Sequence, residues 1–357
     1  MKFPVRILFF IAAIILISGC KEVFYPEIEP SAPIVVVEGL ITDQPGPYEI
    51  RLTYTSDYYS GTFAQPIENA GVWVLEEGGE SHRFTEVRPG YYRSPAQLQG
   101  VAGKTYILEF ETTDGMTYRS KPQTLLPPFE PGDMLGKESI RTTTRESTSG
   151  ELIITERAGV DASLQLTDYA DNPANIRFKS EVKLLYVSEV IVGGVPEKEY
   201  CWKEMRRFEG IDNINLPTAS NQPGDVSNNV VAFLPHDKEE YFLDYFDFLQ
   251  TLAIKVRVFS LNNDAYNYYL ELHKQLTSDG SIFAPIPSQM SSNIYCVTDA
   301  NRAAAGLFET SSVGSRAYIL RQPPHVDSIL FEPTGGYDEI PGTAGCSLAE
   351  TPPFWIY

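Results

Sequence analysis

YEIRLTY, residues 48–54, and TYILEFE, residues 105–111, carry the reading of the fold. In the first, Tyr48, Ile50, Leu52 and Tyr54 alternate with Glu49, Arg51 and Thr53. In the second, Tyr106, Leu108 and Phe110 alternate with Ile107, Glu109 and Glu111. Successive side chains of a strand point to opposite faces, so a period of two means a strand with one buried side. Turn formers punctuate the surrounding sequence: Asp43-Gln44-Pro45-Gly46, Glu77-Gly78-Gly79, Arg88-Pro89-Gly90, Val101-Ala102-Gly103 and Asp114-Gly115. Short strands separated by turns at this density predict a β-sandwich.

Working outward, the run from NAGVWVLEEGG through RPGYYRS to DGMTYRS resembles the small Ig-like domains of exported bacterial proteins. That places an Ig-like sandwich at 34–128, closed by Pro127-Pro128 and Pro131-Gly132. Residues 129–150 are rich in Thr and Ser and read as a linker or loop. Beyond them, ELIITE, ASLQLTDY, IRFKSEVKLLYVSEVIV and NNVVAFL read as further strands. TLAIKVRVFSL sets Leu252, Ile254, Val256 and Val258 on one face. A helix follows at about 263–277, where Ala265, Tyr269, Leu272 and Leu276 share one face. Asn262 or Asn263 can cap its start, and Gly280 ends it. The expected fold class is mainly β: the sandwich, then a larger β-rich domain at 151–357 with this one amphipathic helix.

The first residues give an address. Lys2 and Arg6 precede an apolar run from Ile7 to Ile17, which is eleven residues. A spanning helix needs about 20. A basic start, a short apolar core and small residues before a cut form a secretory signal. Ile17-Ser18-Gly19-Cys20 resembles the bacterial lipobox. In such signals the chain is cut between Gly19 and Cys20, and the cysteine is acylated at its sulfur and its new amino group. Residues 1–19 are then the signal peptide, and 20–33, with Pro26, Pro30 and Pro33, an extended lipidated tether. Lys21 follows Cys20 where an inner-membrane retention signal would place Asp. An outer-membrane lipoprotein is expected, facing the periplasm or the cell surface, with the surface favoured by Lys21-Glu22.

The chain carries 28 basic and 47 acidic residues, a formal net charge of −19. Nucleic-acid binding rests on Lys and Arg neutralising phosphates, so DNA and RNA are excluded as partners. Attachment to a membrane is expected through the lipid. Besides Cys20 there are Cys201, Cys296 and Cys346, an odd number, so at least one thiol is free or pairs with another chain. No C-x-x-C exists, and His82, His236, His273 and His325 are scattered, so no metal and no cofactor are expected. Gly100-Val101-Ala102-Gly103-Lys104-Thr105 ends like a phosphate loop but lacks its first glycine and its helix, and reads as a turn. Asp168 and Asp171 in TDYADNPAN read as a solvated turn, and the aromatics of EYFLDYFDFLQ, 240–250, as core. No nucleophile elbow occurs.

Residues 264–319 are similar to the C-terminal signature of the domain-of-unknown-function family 4249. The matching parts are Tyr266, Gly280-Ser281, Phe283, Pro285, Pro287-Ser288, Asn293-Ile294, Gly306, Phe308 and Ser311-Ser312-Val313. IVVVEGLITDQPGPYEIRL, 34–52, Cys201-Trp202 and a cysteine before Pro353-Phe354-Trp355 extend the likeness across most of the chain. The resemblance implies an exported lipoprotein of Gram-negative bacteria, working beside TonB-dependent transporters. It also implies a disulfide between Cys201 and Cys346 with Cys296 free, although the second cysteine usual in the family ending is absent here. The expected function is non-catalytic binding or accessory work in TonB-dependent uptake or envelope assembly. The alternative is an envelope hydrolase with a dispersed carboxylate site in the C-terminal domain. The ligand is not named by any motif.

Overall fold

The computed structural model describes residues 33–56, 63–147, 151–165, 175–204, 230–235, 248–276, 290–321 and 329–333. In chain order the strands begin with β1 (Val35–Thr42), β2 (Glu49–Tyr54), β3 (Gln65–Pro66), β4 (Gly71–Glu76), β5 (Ser81–Arg88) and β6 (Tyr91–Arg93). Next come β7 (Thr105–Glu111), β8 (Thr117–Ser120), β9 (Gln123–Thr124), β10 (Met134–Glu146), β11 (Leu152–Leu164), β12 (Ile176–Val192) and β13 (Val195–Glu204). The rest are β14 (Val230–Pro235), β15 (Phe248–Ser260), helix α1 (Asn263–Leu276), β16 (Ile294–Cys296), β17 (Ala304–Ser311), β18 (Val313–Arg321) and β19 (Ile329–Pro333). The protein is mainly β, and α1 is the one helix among the described residues.

The strands form two sheets. The first has 11 strands, with the path β16-β8-β7-β4-β5-β6-β2-β1-β17 and two short strands, β3 and β9, beside it. Its alternation is the one read from sequence: Ile50 and Leu52 of β2 and Leu108 and Phe110 of β7 are fully buried, while Glu49, Arg51 and Glu109 face outward. These side chains join Val37, Ile41, Val72, Val74 and Phe308 in one core.

The strands expected as an Ig-like sandwich form one sheet that curls until its ends nearly meet. Asn293, just before β16, closes the gap. Its Nδ2 donates to the Phe308 carbonyl at 2.7 Å, and the Phe308 N–H donates to its Oδ1 at 3.0 Å. The Ser292 hydroxyl adds a bond to the Gly306 carbonyl at 2.9 Å. A side-chain amide thus does the work of a missing strand, leaving no buried backbone group of Phe308 unpaired. On the other side β17 runs parallel to β1 in full register from Val35↔Ala304 to Thr42↔Ser311. Gly306 makes this approach feasible: φ is 93°, and a Cβ there would lie 2.0 Å from the Val37 carbonyl oxygen.

Two sequence expectations change. The stretch 129–150, expected as a linker or loop, contains β10, which pairs with β11 from Met134↔Leu164 to Glu146↔Leu152. The outer part of this ribbon is solvent-exposed on both faces, so no hydrophobic alternation marks it. The β-branched Thr142-Thr143-Thr144 run, which looks like loop composition, suits a strand. Second, the boundary drawn at 151–357 does not describe the sheets, because β16 and β17 return to the first sheet.

The second sheet has eight strands in the order β13-β12-β15-β18-β19-β10-β11-β14. It also curves, since the Ser180 hydroxyl on β12 donates to the Val231 carbonyl on β14 at 2.6 Å. Ile254, Val256 and Val258 of β15 fill its interior with Phe178, Ile176, Met134, Leu164 and Tyr318, as the alternation of β15 requires. The sheets join at Ser312, the single residue between β17 and β18. Its hydroxyl donates to the Leu126 carbonyl at 2.5 Å, and its carbonyl accepts from the Ser260 N–H at 3.0 Å. Helix α1 starts beside this joint, where Asn262 Oδ1 caps the Ala265 N–H at 3.0 Å. Its buried face, Ala265 with Tyr266, Tyr268 and Tyr269, packs on Phe259, Leu307 and Val313.

Candidate functional site

A groove of 560 Å³ lies between α1 and the outer face of the first sheet. One wall is helical and largely apolar, made by Tyr268, Tyr269 and Leu272, with Leu40 and Leu307 at its foot. The other wall is the polar face of β1, β2 and β6, where Glu38, Arg51, Tyr91 and Glu49 stand on neighbouring strands. Strand alternation produces this wall: the residues that turn Ile50 and Leu52 inward turn Glu49 and Arg51 out.

Cross-strand register connects these side chains. Arg51 lies opposite Glu38 and donates Nη1 to its carboxylate at 3.3 Å. Tyr91 lies opposite Arg51, whose guanidinium carbon is 5.6 Å from the ring centroid. Arg88 covers the same ring at 3.4 Å and donates to Glu49 at 3.2 Å. Arg93 also binds Glu49, at 2.6 Å through Nη2, and hydrogen bonding to Arg93 holds the Glu49 carboxyl below its ordinary range. Salt bridges at such exposure are each worth at most about 1 kcal/mol. Their value here lies in fixing planar groups in place.

The inner end of the groove is different, because it holds a buried charge pair. Glu309 of β17 has a side chain 2 % exposed and Arg177 of β12 one 11 % exposed. Arg177 donates Nη2 to both carboxylate oxygens, at 3.1 and 3.2 Å, and Nε to Oε1 at 3.3 Å. Tyr269 donates its hydroxyl to Oε2 at 2.6 Å, and Ser311 donates to Oε1 at 2.6 Å. Phe259 lies 3.8 Å below the guanidinium. Burial and the adjacent carboxylate push the Tyr269 phenol well above its ordinary value. Burial works against the charge on Arg177, but the Glu309 carboxylate outweighs it, and the guanidinium pKa is raised. The pair ties the two sheets together beneath the groove, and every oxygen of the carboxylate is engaged.

Of the residues singled out from sequence, Gly19, Cys20 and Cys346 lie outside the described residues, as do His236, His325, Asp168 and Asp171. Cys201 is on β13, and the geometry of a bond to Cys346 falls outside the description. Cys296 is a free, buried thiol whose Sγ is 3.4 Å from the Thr298 hydroxyl. His82 is half-buried on β5 and His273 exposed on α1. Gly103 sits in a tight turn with φ 86°, before β7. Of EYFLDYFDFLQ, residues 248–250 open β15 and the remainder is outside the description. Tyr269 was legible as a buried helical position. Arg177, Glu309 and the Glu38–Arg51–Tyr91 row were not singled out. The signal for Glu309 was its setting, a lone acid in the otherwise uncharged GLFETSSVG.

Among the described residues no group of three or more His, Cys, Asp or Glu is placed to hold a metal ion. No described helix is long and apolar enough to cross a membrane. The signature residues Asn293, Gly306, Phe308, Ser311 and Ser312 all sit at the closure of the first sheet or at its joint with the second. Comparison with curated proteins and with solved structures returns no match. A family model described as Domain of unknown function (DUF4249) matches residues 21–317, and the chain belongs to that family.

Proposed function

We propose that the protein is an outer-membrane lipoprotein, cut between Gly19 and Cys20 and anchored by acyl chains on Cys20. There it acts as a non-catalytic binding or accessory component of TonB-dependent uptake or envelope assembly, with the cell surface as its favoured face. The short apolar run ending in Ser18-Gly19-Cys20 supports the anchor. Several acyl chains hold firmly at about 0.8 kcal/mol per buried CH₂.

The binding role rests on one observation, the occupied state of the groove's carboxylates. Glu309 is saturated by Arg177, Tyr269 and Ser311, Glu38 is held by Arg51, and Glu49 by Arg88 and Arg93. A general acid or base needs a free lone pair or proton within reach of substrate. The alternative, a hydrolase with a dispersed carboxylate site in the C-terminal domain, has one groove glutamate there, Glu309, and the arginine held to it weighs against that reading.

The anchor is tested by mass spectrometry of the N-terminus and detergent-phase partitioning of protein from its own envelope. Cys20→Ser should leave precursor or soluble protein, and an unacylated wild-type N-terminus would refute the anchor. The accessory role is tested by isolating the lipidated chain from the outer membrane. A transporter or assembly protein should co-purify in a fixed ratio, and recovery of the chain alone would refute that role.

A further inference from the structure

We infer that the open edge of β11, from Leu152 to Ala158, pairs antiparallel with the same edge of a second copy of this chain, about a two-fold axis at Ile154. The contact joins two ribbons into one four-stranded sheet, in the order β10-β11-β11-β10.

The ribbon outgrows its sheet. β10 and β11 pair without a break from Met134↔Leu164 to Glu146↔Leu152. Among the described residues, β19 accompanies β10 only over Met134–Gly136, and β14 accompanies β11 only over Gly159–Ser163. Beyond those points the two strands have only each other among the described residues. A two-stranded ribbon alone in water is marginally stable at best, and further strands are what make it hold. Ile140, Leu152 and Ile154 are 68 %, 66 % and 65 % exposed. The register Ile140↔Ala158, Thr144↔Ile154 and Glu146↔Leu152 puts them on one face. Nearer the base, that same face turns Met134, Val160, Ala162 and Leu164 into the core of the second sheet. The apolar face thus runs past the core that uses it, and exposed apolar surface of this kind marks an interaction site.

The backbone decides what kind of partner fits. The Ser147 N–H donates to the carbonyl of Glu151, directly opposite, at 2.8 Å, so these two form a hydrogen-bonded pair. In an antiparallel ladder such pairs alternate with non-bonded ones. Glu151, Ile153, Thr155 and Arg157 therefore bond toward β10, whereas Leu152, Ile154, Glu156 and Ala158 turn their N–H and C=O groups to the open edge. A row of amides at strand spacing is matched by another extended backbone, not by a lipid or an isolated ion. Neither a proline nor a register shift interrupts Leu152–Ala158, and these are two of the usual devices that blunt an edge.

The side chains select a copy of the same strand. With the axis at Ile154, the two Ile154 residues face one another. Leu152 then faces Glu156 of the second copy, Ile153 faces Thr155, and Glu151 faces Arg157. Leu152, Ile154 and Glu156 carry the outward backbone groups, so this register closes about six main-chain bonds. Each Glu151–Arg157 pair joins opposite charges across neighbouring strands, which stabilises the pairing. Moving the axis to Ile153 sets Glu151 against Thr155, and moving it to Thr155 sets Ile154 against Glu156. The edge of β10 offers no equivalent: an axis at Arg141 brings two like charges together, and an axis at Ile140 or Thr142 opposes no unlike ones.

The test is sedimentation of the full-length chain in detergent, followed by cross-linking in its own envelope. The wild type should dimerise at micromolar concentration. Ile154→Pro removes the outward N–H at the centre of the contact and leaves the bonds to β10 in place, since proline is tolerated where an edge N–H faces out. It should raise the dimer dissociation constant about tenfold or more, because both central bonds are lost. Ile140→Pro makes the same change on the opposite edge of the ribbon and should leave association unchanged. Glu151→Arg should weaken the dimer several-fold, and adding Arg157→Glu should restore it. Ile154→Cys should form a disulfide-linked dimer in the envelope, because opposed Cα atoms of a bonded pair lie about 5.5 Å apart, within disulfide reach. The wild type, with its own cysteines, sets the background for that measurement. Circular dichroism and the thermal midpoint confirm that each variant is folded. A monomer at these concentrations would overturn the inference, as would a dimer indifferent to Ile154→Pro or equally sensitive to Ile140→Pro. So would failure of Arg157→Glu to restore the dimer, or cross-linking of Ile154→Cys only to a different protein. Acylation of Cys20 and the groove beside α1 play no part in this contact, so these results bear on it alone.

Discussion

Removing one member of the Arg177–Glu309 pair should be among the most damaging single changes in this protein. In Arg177→Met the Glu309 carboxylate, 2 % exposed, keeps the Tyr269 and Ser311 hydroxyls but loses its counter-charge. In Glu309→Gln the guanidinium, 11 % exposed, loses its charge partner while a neutral amide remains in contact. Breaking a buried pair from one side costs about 3–5 kcal/mol, because the surviving charge stays out of water. At about 2–4 °C per kcal/mol for a large domain, the thermal midpoint should fall by roughly 6–20 °C. The double variant Arg177→Met/Glu309→Gln carries no buried charge, and its Gln oxygen can still accept from Tyr269 or Ser311. Its loss should therefore fall short of the sum of the single losses by about 1–3 kcal/mol, the usual size of coupling between touching residues. Arg177 belongs to the second sheet and Glu309 to the first, so calorimetry should show both sheets' transitions moving together. Strict additivity, or single variants costing less than about 1 kcal/mol, would refute the account of the joint.

Asn293→Ala removes both bonds that close the first sheet and strands the buried N–H and carbonyl of Phe308. At about 1–3 kcal/mol for each unsatisfied group, urea unfolding should show a loss of roughly 2–6 kcal/mol, and a change under 1 would contradict the closure. Alkaline pH should also weaken the fold. Tyr269 faces Glu309, Arg177 and Tyr268, and its folded pKa is raised above the unfolded value near 10, chiefly by burial and then by Glu309. The folded state thus holds the phenolic proton more tightly, so this contribution is complete below about pH 10 and is lost as pH rises beyond it. Urea midpoints should be flat from pH 8 to 9.5 and fall above 10, and Tyr269→Phe should make that fall shallower.

Local pattern determined a good deal of this protein. The alternation in residues 48–54 and 105–111 is a property of each strand alone, and it correctly separated Ile50, Leu52, Leu108 and Phe110 from the charges beside them. The same holds for β15, and for the capped helix whose start is fixed by Asn262. The signature residues also supplied the family. Strand partnership was a different matter, because a strand's side-chain period says which face is buried and nothing about its neighbour. The parallel union of β1 with β17 joins residues far apart in sequence, and it depends on a glycine at 306 and an amide at 293 that look unremarkable in isolation. The outer part of β10, exposed on both faces, had no period to betray it. The candidate site was hidden for the same reason. Arg177 and Glu309 are 132 residues apart, and Glu38, Arg51 and Tyr91 reach one wall through cross-strand register. Sequence assigns each of these residues to an outward or inward face, but only the closing of one sheet and its junction with the other brings their charges within hydrogen-bonding distance.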